Sequence, residues 1–323
     1  MTGVGVVEFL DVEIPEPEAG ELLIRTEVTA VSPGTELRCL AGKQPDSVPF
    51  PFVSGYSLAG VVESAPEGSE IKVGTRVFCT GTNKVSIHRQ WGAHVSHAIV
   101  NPGQVVPIPD HCSSKSAVFS KMVAIALRGS RVAQPRLCDS VAVIGLGPIG
   151  MLSTRVYKAA GANVLGLDLA PSRVEIARKA GVKAEMPING IKQMVHDYFG
   201  HGADIIVDAT GAPQVLPLSM SAAKEMPWGD SSATGSKLVI QGSYPDTFTL
   251  PYQEAFLKEL HILLPRDHSP KDLVDACALI ADGKVEVEDL ISWFGQPCEA
   301  SHAFGLLTSD PTKMTVAFDW SLT

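Results

Sequence analysis

Six consecutive residues, Gly145, Leu146, Gly147, Pro148, Ile149 and Gly150, have the types and spacing to hold a diphosphate. In a G-x-G-x-x-G run the first glycine permits a tight turn, the second lets the backbone approach a pyrophosphate, and the third allows a helix to pack closely on a strand. The helix that follows offers its free N–H groups and the positive end of its dipole to the phosphates. Asp168 lies 18 residues past Gly150 and ends a second apolar run, a spacing suited to accepting both adenosine-ribose hydroxyls. A carboxylate there repels a 2′-phosphate, so the pattern favours NAD(H) over NADP(H); Arg173, a little further on, weakens that preference if it swings over the ribose. The alternative is a structural glycine turn in a nucleotide-free α/β protein, against which stand the apolar run before the glycines and the helical pattern after them. Two later strand ends, Thr210 with Gly211 and Gly242 with Ser243, fall on the edge where open α/β sheets bind ligands. Each reads equally well as cofactor contact or as an ordinary cap.

The elements that must place these residues follow from hydrophobic periodicity. Runs at 140–144, 163–167, 204–209 and 237–241 read as buried strands, and helices are expected over 148–160, 172–180 and 191–199. That alternation predicts a doubly wound parallel sheet, a Rossmann domain. Ahead of it, 21–28, 60–63, 75–79 and 93–100 read as short strands divided by turn residues, an all-β, barrel-like segment, and helical spacing takes over from 117 to 132. A helix over 271–281, mixed segments and a last strand over 313–318 close the pattern. At roughly 150 residues per domain, 323 residues predict two domains.

Composition narrows the function classes. The chain is 45% apolar and only 19% charged, which suits a globular protein rather than a disordered one. Its 26 basic and 35 acidic residues leave a net charge of -9, which argues against a nucleic-acid or anionic-membrane partner. The 6 cysteines never form Cys-x-x-Cys, so neither a zinc ribbon nor a disulfide framework is written here. No apolar run is long enough for a membrane span and no secretion pattern opens the sequence, so the cytoplasm is the expected compartment.

The order of motifs is familiar. Ser32-Pro33-Gly34-Thr35-Glu36-Leu37, then Ser54-Gly55-Tyr56, then Gly74-Thr75-Arg76, then Trp91-Gly92-Ala93-His94, then the glycine loop, resembles the medium-chain dehydrogenase/reductase superfamily. Within it the chain is similar to the bacteriochlorophyllide a dehydrogenase type, which also shows Gly-Thr-Glu and Gly-Tyr in these places. The resemblance implies an α/β protein: a GroES-like β-rich catalytic domain over 1–117 and 269–323, with the Rossmann domain inserted over 118–268. It also implies that Pro33, Tyr56 and Ser120 occupy the positions of the catalytic zinc ligands. None is a competent ligand in that setting, and His94 and His97, placed on opposite faces of the strand expected at 93–100, do not converge with His88. The expectation is an enzyme with no zinc and no other metal.

Without a Lewis acid, a side chain must polarise the substrate oxygen and move its proton. By position Thr35 matches the family's relay hydroxyl, Glu36 its acidic neighbour, and Lys121 follows Ser120. Tyr56 is the leading candidate for general acid/base, its ionisation favoured by Lys121. The alternative is that Tyr56 fills the void left by zinc while Lys121 binds a carboxylate such as Glu36. His94 is the second candidate acid/base. Arg266, Asp267 and His268 follow an apolar run at 261–264 in a region that, by resemblance, passes near the nicotinamide; a solvated turn explains them too. The run itself can pair across a two-fold axis, which predicts a homodimer acting on a small molecule. The expected reaction interconverts a secondary alcohol and a ketone with NAD(H). Enoyl or quinone reduction with NADPH, and a non-catalytic NAD-binding sensor or scaffold, are the alternatives.

Overall fold

The computed structural model describes residues 1–229, 234–244 and 247–321. The chain divides into two compact units, one made of Met1–Lys121, Leu273–Gly283 and Val287–Thr323, the other of Met122–Asp272 and Lys284–Glu286. The joins fall after Lys121 and Asp272, against the 117 and 268 that the resemblance implied.

The first unit is built on a 7-stranded sheet whose organising member is Leu22–Ala30. Leu22, Ile24 and Thr26 alternate into the core, as the two-residue period of a strand requires. This strand pairs antiparallel with Leu58–Ser64 along one side. On the other side it changes partner midway: Leu22 to Arg25 face Val100 to His97, and Val28 to Ala30 face Asp319 to Ala317. A register shift between Thr26 and Val28 bends it at the changeover, which is how a sheet turns a barrel corner. Arg76–Cys79 and Val105–Pro107 extend one flank, and Ile291–Gly295 lies parallel to Thr315–Asp319 at the other.

Three expectations are corrected here. The first third is not all-β, because Pro33–Leu40 forms a helix with Ser32 at its N-cap and Pro33 at its first position. Proline is favoured there because the missing N–H has no helical partner anyway. The expected strand over 93–100 begins only at His97. Ahead of it the N–H groups of Ala93 and His94 both turn toward the Ser54 carbonyl, and Val95 N–H closes back on Ala93, so the ladder cannot start earlier. The helix expected over 117–132 is likewise two pieces, Ser114–Ala117 and Ser120–Ala133.

The second unit carries a parallel sheet in the order Lys183–Glu185, Asn163–Leu167, Ser140–Ile144, Ile205–Asp208, Lys237–Ile240, His261–Leu263. This is the strand order of a dinucleotide-binding sheet, with the switch point between Ser140–Ile144 and Ile205–Asp208. Ser140–Ile144 is buried along its whole length, which explains its unbroken apolar run: it is paired on both sides and covered on both faces. The helix Pro148–Ala159 covers the sheet with Met151, Leu152, Val156 and Tyr157. Burial of such side chains contributes about 1.5–3 kcal/mol each. No described helix is long and apolar enough to cross a membrane.

Candidate active site

In the second unit the glycine loop has the geometry that its spacing implies. Gly145 adopts φ +88, and a Cβ there would meet the Thr210 backbone and methyl at 2.9–3.2 Å. A Cβ on Gly150 would fall 1.8 Å from the Gly145 carbonyl, so helix and turn can touch only through glycine. Gly147 is different: a Cβ there would meet nothing within 4 Å, which leaves its face of the loop open. Gly147 caps Pro148–Ala159, and the N–H groups of Ile149 and Gly150 in the first turn lack helical acceptors. These donors, the open face and the helix dipole together fit a dinucleotide diphosphate.

Asp168 follows the strand Asn163–Leu167 and is nearly buried. Its Oδ2 accepts the Leu146 N–H at 2.7 Å and its Oδ1 accepts the Ala170 N–H at 2.8 Å, so it is fixed against the glycine loop. Arg173 Nη1 lies 3.5 Å from Oδ2, at the limit of an ion pair contact. Thr210 and Gly211 form a turn tied to Asp208: Thr210 donates both its N–H and its hydroxyl to Asp208 Oδ1, at 3.0 and 2.7 Å. Ser219 and Tyr244 donate to the same carboxylate at 2.7 and 2.6 Å. Burial, and then Asp208, push the Tyr244 phenol above its ordinary range. Gly211 and Gly242 pack backbone to backbone, a Cβ on Gly242 falling 2.5 Å from the Gly211 nitrogen. Ser243 lies against this contact, its carbonyl 2.8 Å from where a Cβ on Gly211 would sit.

In the first unit four stretches converge: the end of Leu22–Ala30, the start of Pro33–Leu40, the turn at 54–56, and the segment 91–94. Glu36 is fully buried. Its Oε1 accepts the Ser32 N–H at 2.8 Å, and its Oε2 accepts the Ser54 hydroxyl at 3.1 Å and meets His94 Nε2 at 2.9 Å. His94 Nδ1 lies 2.9 Å from Thr29 Oγ1, which itself accepts the Trp320 indole N–H at 3.0 Å. The arrangement that satisfies every group has Thr29 donating to Nδ1 and Nε2–H donating to Glu36. Both ring nitrogens of His94 are thus engaged. Gly55 makes this possible, since at φ +89 a Cβ would sit 2.6 Å from the imidazole.

Tyr56 is buried beside this network. Its hydroxyl donates to Ser32 Oγ at 2.5 Å and lies 3.5 Å from Thr35 Oγ1. The Trp91 ring packs edge-on against it, 5.3 Å between centroids, and Lys121 Nζ stands 5.6 Å over the ring face. The ammonium therefore acts on the π-face of the phenol, a favourable cation–π position. Pro33, Tyr56 and Ser120 do not make a zinc site of the thiolate and imidazole kind. Pro33 has no donor atom to offer, Ser120 donates to the Ala117 carbonyl at 2.6 Å, and among the described residues no three His, Cys, Asp or Glu side chains converge. His97 faces Glu63 instead, at 3.4 Å.

Tyr56, Thr35, Glu36, His94 and Lys121 thus fall within one unit, with the first four in a single neighbourhood. Arg266, Asp267 and His268 follow His261–Leu263 as a turn, with Asp267 at φ +50 and its carboxylate 3.2 Å from His268. Sequence pattern marks Ser54 and Trp91 only as members of motifs and Asp208 only as a strand end, with no role of their own. A serine directly before proline at a helix start is an N-cap signature, yet nothing local announces that Glu36 will be the buried hub.

A family profile described as "Zinc-binding dehydrogenase" matches residues 148–274, and one described as "Alcohol dehydrogenase GroES-like domain" matches residues 18–110. The 2-desacetyl-2-hydroxyethyl bacteriochlorophyllide A dehydrogenase of Cereibacter sphaeroides is 26% identical over 97% of this chain and 94% of its own. An alcohol dehydrogenase of Geobacillus stearothermophilus is 26% identical over 87% of each chain. Among solved structures, a 2R,3R-butanediol dehydrogenase from Bacillus subtilis superposes with a TM-score of 0.85, covering 99% of this chain and 98% of that one. At 19% identity that likeness speaks to the fold alone.

Proposed function

The chain belongs to the zinc-type alcohol dehydrogenase branch of the medium-chain superfamily, and from that premise we propose a zinc-independent, NAD(H)-dependent oxidoreductase that interconverts a secondary alcohol and a ketone. The observation that carries the reading is Tyr56: a buried phenol, hydrogen-bonded through its hydroxyl, at the place where the resemblance puts a zinc ligand. The relatives named above act on alcohols, which supports the reaction class.

When bound, the nicotinamide supplies or accepts the hydride. The glycine loop and the first turn of Pro148–Ala159 hold the diphosphate, Asp168 receives the ribose hydroxyls and disfavours a 2′-phosphate, and the turns at Thr210-Gly211 and Gly242-Ser243 limit the cofactor's reach. Tyr56 donates its proton to the substrate oxygen during reduction and takes it back during oxidation. Lys121, over the ring, favours the phenolate that reduction leaves behind. Thr35, half exposed, links the phenol to solvent. Glu36 and His94, hydrogen-bonded to each other and to Ser54 and Thr29, position the turn that carries Tyr56. We assign the enzyme to the cytoplasm and to a homodimer paired through the exposed edge at His261–Leu263.

The test is turnover of secondary alcohols with NAD+ by the wild type and Tyr56→Phe, with metal analysis of the same samples. General acid–base catalysis contributes about 10²–10⁴-fold, so Tyr56→Phe is expected to fall by at least the lower figure. Full turnover by Tyr56→Phe, or activity that tracks stoichiometric zinc, would overturn the assignment.

A further inference from the structure

Ser32 is the N-cap of Pro33–Leu40, yet its side chain caps nothing. An N-cap hydroxyl ordinarily accepts an N–H from the first turn. Here the N–H groups of Thr35 and Glu36 go to the Ser32 carbonyl, at 3.1 and 2.9 Å, and the Ser32 N–H is taken by Glu36 Oε1. The backbone of Ser32 is thus tied at three points while its hydroxyl is released to accept the Tyr56 O–H at 2.5 Å. Thr35, the hydroxyl at the family's relay position, is 3.5 Å from the same phenol, where a hydrogen bond is weak.

We propose that Ser32 is the positioning residue for the Tyr56 proton: its hydroxyl accepts from the phenol at rest and rotates to donate to the phenolate once the proton has left. This rests on the reading of Tyr56 as the acid/base. In reduction the carbonyl carbon gains the hydride and its oxygen gains the Tyr56 proton. The C–O π bond breaks, a C–H and an O–H bond form, reduced nicotinamide is oxidised, and the negative charge is left on the phenolate oxygen. Ser32 keeps its own proton throughout and only reverses the sense of its hydrogen bond, which a hydroxyl does without moving its oxygen. Ser32 is 5% exposed, so on its side the phenol is screened from water, and solvent meets it only from the side of Thr35. Glu36 contributes by holding the Ser32 backbone through its Oε1.

The experiment is an ultraviolet difference titration of tyrosinate, with Tyr56→Phe as the reference that identifies the Tyr56 midpoint among the 5 tyrosines. It is run on the wild type, Ser32→Ala, Ser32→Thr and Ser32→Gly, glycine being tolerated at an N-cap should alanine impair folding. A hydrogen bond to a charged group corresponds to about one to two pKa units. The Tyr56 midpoint is expected to rise by that amount in Ser32→Ala and Ser32→Gly and to return in Ser32→Thr, with the pH profile of kcat moving in parallel. An unchanged midpoint in both truncations would overturn the proposal. If Tyr56→Phe keeps full turnover while the midpoint still moves, the functional reading fails and the Ser32–Tyr56 coupling stands. If Tyr56→Phe loses turnover while the midpoint stays put, the coupling fails and the functional reading stands.

Discussion

Replacing Gly55 with alanine is expected to dismantle the Glu36 network without touching a residue of it. Two costs arise. The backbone at φ +89 suits glycine, and placing a Cβ in left-handed space costs about 1–2 kcal/mol. The new Cβ also sits 2.6 Å from His94 Cδ2 and Nε2, inside contact distance. The imidazole has no slack with which to yield, because Thr29 holds one nitrogen, Glu36 the other, and Phe318 packs edge-on 5.5 Å from its centroid. Displacing it breaks a hydrogen bond to a buried carboxylate, worth about 1.5–3 kcal/mol. Together Gly55→Ala is expected to lose about 2.5–5 kcal/mol, a large share of the roughly 5–15 kcal/mol available to a folded domain. A double-mutant cycle separates the two costs. In a His94→Ala background only the backbone penalty remains, so the same substitution is expected to cost about 1–2 kcal/mol. The assay is urea denaturation followed by tryptophan fluorescence, to which three of the four tryptophans, Trp91, Trp293 and Trp320, report from the first unit. Equal costs in the two backgrounds would refute the contact, and a cost below about 0.5 kcal/mol in the wild type, the range of an ordinary surface change, would refute the whole account.

Three further outcomes are expected. Gly150→Ala, whose Cβ would meet the Gly145 carbonyl at 1.8 Å, is expected to abolish NADH binding in a fluorescence titration. Asp168→Ala is expected to raise the ratio of NADP+ to NAD+ kcat/KM by about tenfold or more, since each 1.4 kcal/mol of removed repulsion is a factor of ten; an unchanged ratio would remove Asp168 from cofactor selection. Acid stability tests Asp204: burial alone would raise its pKa, but the Ser140 hydroxyl and N–H, with Lys224, outweigh burial and hold it below the usual carboxylate value. Its contribution is therefore present above the unfolded value near 3.8 and is lost as pH falls toward the lower folded one, so Asp204→Asn is expected to flatten the loss of stability over that window, read by urea midpoints at stepped pH.

Much of the second unit is legible in the sequence because its signals are local. Ser140–Ile144, Asn163–Leu167 and Ile191–Phe199 occupy the residues their periodicity marks, each bounded by a turn former or a charged residue. The first unit is less legible because its elements are made by distant contacts. Pro33–Leu40 mixes Glu36, Arg38 and Cys39 in a pattern with no clear apolar stripe, and its register depends on Glu36 turning inward. The partners that allow this are Ser54, 18 positions away, and His94, 58 away. Both partners lie outside the helix Pro33–Leu40, beyond the reach of any local pattern. His94 itself reads as a strand residue until the turn over Ser54 is known. Tyr56 is visible in the sequence only as a position; its hydrogen bonds are made by residues more than 20 places away.

The Asp208 carboxylate joins the turn at Thr210 to the segment at Tyr244, and the Gly211–Gly242 contact leaves no room for a side chain between them. The two turns are consequently a single mechanical unit. A library that randomises one while fixing the other samples mostly broken pairs, whereas co-varying the two keeps the contact between them.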